Sequence, residues 1–148
     1  MKYICRRHRA AIVEQPAHAL QLWRDAMDNG EVALGHGNVR LARSFFGTAY
    51  EIAVIHVHQV GRGQGIFQRD HLLEACQQLT GVLTALGEEA EAMQALHLVQ
   101  DYLLIAAGDV SAPMEGRQKA MDQFRQLGQK MIDVCSGDSA AGGVPCLH

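Results

Sequence analysis

Apolar residues recur at three- and four-residue intervals along nearly the whole 148-residue chain, and only Pro16, Pro113 and Pro145 interrupt them. That period lays the apolar groups along one stripe of an α-helix and does not suit strands. The two inner prolines fall where helices can begin, since the first helical N–H has no intrahelical partner to lose. The chain therefore reads as all-α. A chain of this length buries roughly 68–70% of its extended surface on folding, so a core forms without disulfides. The four cysteines, Cys5, Cys76, Cys135 and Cys146, are too scattered for a disulfide-built fold.

Five helical segments follow from the stripes, with a shorter one at the start. Residues 1–15 form a short helix if Ile4, Cys5, His8 and Ile12 pack on the rest. From Pro16 the stripe is Ala19, Leu20, Trp23, Ala26, Met27 and Leu34, with Gly35, Gly37 and Asn38 as a turn. The next segment starts near Asn38 and carries Ala42, Phe45, Phe46, Ala49, Ile52, Ala53, His56 and Val60. Between Ile52 and Val57 it is apolar almost all round, which predicts burial on more than one side. Gly61, Gly63 and Gly65 make a connector. A helix capped near Asp70 follows, with Leu72, Leu73, Cys76, Leu79, Val82, Leu83 and Leu86 inward and Gly87 as its stop. The next opens on Glu88, Glu89 and Glu91, well placed at the positive end of a helix dipole, and is expected to bury Ala92, Leu96, Val99, Leu103 and Ala106. A last helix follows Pro113, with Met121, Phe124, Leu127, Met131 and Val134 on its stripe. Residues 136–148 are small and glycine-rich, and too few large side chains remain to offset the entropy of ordering them. The expected organisation is one α-helical domain over 1–135 and a disordered tail over 136–148.

Superposing the chain on itself at Gly37 and Gly87 exposes a shared pattern. Ala42, Phe46 and Ala49 stand five, nine and twelve residues after the first glycine, and Ala92, Leu96 and Val99 stand at the same offsets after the second. Seven residues before Gly37 is Gly30, and Trp23 lies seven earlier still. A glycine permits the tight turn, a small residue lets the second helix approach the first, and a large apolar one fills the space beyond. This arrangement resembles the tetratricopeptide repeat (TPR), a helix-turn-helix unit of roughly 34 residues. The likeness covers about residues 23–56 well and 73–106 less well, with Thr80 in the place of Gly30 and Val99 in that of an alanine. The resemblance implies antiparallel helical hairpins, about two TPR-like units plus a C-terminal helix. It also implies a bacterial adaptor or secretion chaperone that binds a peptide or protein segment in a groove. The groove positions would be Arg24, Met27, Asp28, Glu31 and Leu34 from the first unit, and Glu74, Gln77, Gln78 and Thr84 from the second. Two units fall short of the roughly three that usually cover a repeat core, so a second copy of the chain is an expected cover and a homodimer follows.

Charge narrows the partners. Thirteen basic against sixteen acidic side chains give −3, so no global cationic field holds nucleic acid. Lys2, Arg6, Arg7 and Arg9 precede the first acid, Glu14, leaving nine basic and sixteen acidic residues from position 10 onward. That basic end, with Arg40 and Arg43 if adjacent, is the one candidate phosphate patch. The longest apolar stretch, Ile52 to Val60, is broken by His56, His58 and Gln59 and is too short to span a membrane. The basic start lacks a small-residue cleavage site, which points away from a secretory signal and toward the cytoplasm.

Chemical motifs are sparse. Gly61-Arg-Gly-Gln-Gly65 lacks the third glycine of a dinucleotide fingerprint and the Lys-Ser/Thr of a P-loop. Cys5 and His8 share a helix face, and Cys146 with His148 are ligand types that zinc accepts, yet the pairs are a chain length apart. His56 and His58 point about 200° apart on a helix and cannot share a metal. No glutamate precedes a histidine by three, which removes the di-iron bundle signature. Nucleophile-elbow, His-Glu-x-x-His and kinase patterns are missing. The expectation is a non-enzymatic interaction module with no cofactor or metal. The alternative is a small-ligand or metal-binding bundle in which His56, His71, His97 or the Cys5 and His8 pair converge on a pocket.

Overall fold

The computed structural model describes residues 2–60 and 66–143, with side chains for 2–57 and 66–137. Among them are six α-helices and no strand: α1 (Arg6–Glu14), α2 (Pro16–Gly35), α3 (Val39–Val60), α4 (Arg69–Ala85), α5 (Glu89–Gly108) and α6 (Met114–Gly143). The glycine-rich connector at 61–65 and the Cys146 and His148 pair lie outside the described residues. The chain forms two compact units, Met1–Glu88 and Glu89–His148.

In the first unit α3 is central, with α2 on one side and α4 on another, and α1 packs on α2 and α3. The burial of α3 follows from this position. Ile52, Ala53, Ile55, His56 and Val57 are all buried, as the near-continuous apolar run predicts. Phe46 is fully buried against Gly30, where an added Cβ would stand 2.5 Å from the ring. This is the close helix approach that the glycine makes possible.

Both helix-ending glycines close the same motif. Gly37 and Gly87 have φ of 76° and 74°. The N–H of Asn38 donates to Ala33 O at 2.9 Å and that of Gly37 to Leu34 O at 3.0 Å. Fifty residues on, Glu88 N–H donates to Leu83 O at 2.8 Å and Gly87 N–H to Thr84 O at 3.1 Å. These are two Schellman caps with one bonding pattern, and they satisfy carbonyls that the helix end leaves bare. Asn38 then caps α3 through Oδ1, which accepts the Leu41 N–H at 3.1 Å.

One helix start differs from expectation. The cap of α4 is Gln68 rather than Asp70: the His71 ring accepts the Gln68 N–H through Nδ1 at 2.9 Å, an arrangement a search for Asp or Ser caps misses. In the second unit α5 packs against α6. α6 runs to Gly143, with no proline between Pro113 and Pro145 to break it. Residues 144–148 lie outside the described residues. The six positions shared after the two glycines, Ala42, Phe46, Ala49, Ala92, Leu96 and Val99, are all buried.

Candidate functional site

The residues that would line a repeat groove sit on α2 and α4. Arg24, Asp28 and Glu31 recur at four- and three-residue steps along the outer face of α2 and are exposed. No hydrogen bond or ion pair ties them to other described residues. Leu34 is 40% exposed near the end of the same helix. Met27 is different: at 3% exposure it belongs to the core with Trp23 and Ala26, so it cannot meet a partner. The correction has a simple cause. Met27 lies four residues after Trp23 on the buried stripe, and an apolar side chain at core spacing is drawn inward before it can serve a groove. On α4, Glu74, Gln77 and Thr84 are exposed and Gln78 is half-buried. The Thr84 hydroxyl donates back to Thr80 O at 2.8 Å.

A second concave feature, unread in the sequence, opens between α1, α2 and α3. It has a volume of about 470 Å³. The segment before α1 builds one wall, held by Glu51, whose buried carboxylate accepts three successive backbone N–H groups. Lys2 N–H binds Oε1, Tyr3 N–H lies 2.9 Å from Oε2, and Ile4 N–H donates to Oε2 at 2.7 Å. Hydrogen bonds to a carboxylate are among the stronger ones, and three converging on one group fix the strap. Tyr3 lies on Gly47, where a Cβ would stand 2.5 Å from the ring, and its hydroxyl accepts from Arg43 Nε at 3.2 Å. Arg43 also faces Glu88 at 3.7 Å, so it is not a free cation for a basic patch with Arg6, Arg7 and Arg9.

The cleft floor is apolar. Ile4 and Ile12 enter from the N-terminal side, Ala26 from α2 and Ile52 from α3, all buried. The rim is polar: His8 comes from α1, His18, Asp25 and Asn29 from α2, and Thr48 from α3. Position 26 lies eleven residues before Gly37 and position 48 eleven after; 22 and 52 are likewise equidistant. A hairpin centred on Gly37 therefore brings these residues level, although they are far apart in sequence.

The histidines do not converge on a metal. Cys5 Sγ and His8 Nδ1 are 3.1 Å apart, on one face as their spacing predicts. His56 is buried, with Nε2 donating to Ile12 O at 3.0 Å and its ring stacked on Phe67 at 4.5 Å. Burial holds its imidazole below the ordinary range, against the Ile12 carbonyl that favours the charged form. His71 meets the other side of this cluster, edge-on to Phe67 and to Trp23. The Trp23 indole N–H, buried there, finds no hydrogen-bond partner among the described residues. His97 is exposed on α5, in the other unit. Among the described residues no group of three or more His, Cys, Asp or Glu side chains is placed to hold a metal. Nor is any described helix long and apolar enough to cross a membrane.

No family model matches the chain, and no curated protein or solved structure matches it.

Proposed function

We propose that the chain is a non-enzymatic protein-interaction module, TPR-like in its helical hairpins, that acts in the cytoplasm as an adaptor or chaperone. A peptide or protein segment lies along the outer faces of α2 and α4, meeting Arg24, Asp28, Glu31 and Leu34 on the first and Glu74, Gln77, Gln78 and Thr84 on the second.

The observation that carries this reading is the outer face of α2. Arg24, Asp28 and Glu31 stand in line and exposed, without ties to the rest of the described residues, and Leu34 adds apolar surface beside them. Charged side chains in a row, flanked by apolar area, give a partner both register and burial. The Schellman turn at Gly87 repeats the bonding of the one at Gly37.

The test is affinity capture with the native chain and with Arg24→Glu and Glu31→Arg variants. A partner bound on this face is lost from both, with affinity reduced about tenfold or more, equivalent to about 1.4 kcal/mol. Retention of every captured partner by both variants removes α2 from the interface.

A further inference from the structure

We propose that the cleft between α1, α2 and α3 is a binding site for a small amphipathic amine, its aliphatic part on the apolar floor and its ammonium group at Asp25. This site is separate from the outer face of α2 and does not depend on the interaction reading.

The volume of about 470 Å³ falls within the range of small-molecule pockets, roughly 300–1,000 Å³. The floor of Ile4, Ile12, Ala26 and Ile52 leads outward to half-buried Phe45 and to Leu22, which is 37% exposed at the lip. An apolar wall that stays open to water is covered favourably by an alkyl chain. Along α2 the lining runs His18, Leu22, Asp25 and Asn29, a length of about 16 Å. The cleft is thus long enough for a short extended chain.

Charge selects the head group. Asp25 is the one formally charged side chain in the lining, with histidines counted as neutral. Its Oδ1 accepts from Gln21 Nε2 at 2.9 Å, and Oδ2 accepts nothing from the described residues. Asn29 and Thr48 add neutral oxygens that can also accept. Arg43 stands behind Tyr3, bound to its hydroxyl and facing Glu88, and the exposed Arg6, Arg7 and Arg9 are outside the lining. Asp25 is the carboxylate that lines the cleft, so a head group seated there meets it at hydrogen-bond range, whereas Arg6, Arg7 and Arg9 are no part of that lining. A cationic head on an alkyl chain matches both features.

Octylamine, octanol and octanoate share one chain and differ in head group, so titration of the full chain with each separates burial from charge. Octylamine binds about tenfold tighter than octanoate, with octanol between them. Imidazole proton signals of His8 and His18 shift on saturation, and that of His97 does not. Asp25→Asn removes the preference for the amine over octanol. Leu22→Arg, at the lip of the cleft where the side chain is 37% exposed, weakens octylamine at least tenfold with unaltered circular dichroism. The proposal is overturned if octanoate binds as tightly as octylamine, if none of the three binds, or if binding leaves the His8 and His18 signals in place.

Discussion

At the residue scale, His56 is the clearest case of environment overriding intrinsic chemistry. Its ring is enclosed by α3, the stacked Phe67 and the Ile12 carbonyl. Burial favours the neutral form. The unfolded chain takes up a proton at this residue near the ordinary value of about 6.5, whereas the folded chain does so only at lower pH. Stability therefore falls as pH drops through and below that value, because the unfolded state binds the extra proton. Thermal melts across pH 7.5 to 5.0 should show this loss, and His56→Gln should flatten it while lowering the melting temperature at neutral pH. Two glycines make a matched pair for packing. Gly30→Ala puts a Cβ into the buried Phe46 ring and should cost about 1–3 kcal/mol. Gly81→Ala, in α4 with nothing within 4 Å of the new Cβ, should gain about 0.5–1 kcal/mol. Equal effects from the two, measured by urea denaturation, would contradict the close contact at Gly30.

The elements owe their ends to local chemistry. Gly37 and Gly87 each sit in the left-handed region and close the same pair of hydrogen bonds. No Cβ clash is waiting at either, so replacement by alanine costs the backbone conformation alone, about 1–2 kcal/mol. The two variants should be destabilised by similar amounts, and a much larger loss at one than at the other would mean that the turns are not equivalent. α1 is positioned differently. Its N-cap, Cys5, makes no capping side-chain bond, and the segment is fastened through Glu51, which takes the N–H groups of the preceding strap. Nothing in the local sequence around residues 2–4 announces that partner, because it is supplied from α3.

For the whole molecule, the distribution of exposed apolar groups bears on assembly. The Glu89–His148 unit leaves Leu104, Ile105, Val110, Met114 and Ile132 largely exposed, with Ile105 at 72% and Val110 at 83%. Apolar groups left in water can be covered by association, and we propose a second copy of the chain as the cover for these residues. Sedimentation equilibrium should give a mass that rises with concentration toward a dimer, and Ile105→Glu with Ile132→Glu should return it to the monomer value. A monomer mass for the native chain at every concentration would refute the homodimer.

Helix content was written in the sequence itself. The apolar period, the prolines at helix starts and the glycines at 37 and 87 act within a turn or two of backbone, and such local constraints do not depend on what packs later. The inward position of His56 was legible for the same reason, since it lies on the stripe with Ile52 and Ala53. Met27 was misread because two roles, core and groove, share one helical spacing, and only neighbouring helices decide which face is covered. The cleft was invisible for a related cause. His8, Asp25 and Thr48 become neighbours only when the hairpin at Gly37 closes and α1 packs against it, and Glu51 reaches back across more than forty residues to fix the strap. Long-range juxtaposition is set by how faces pack, and that information belongs to the folded chain.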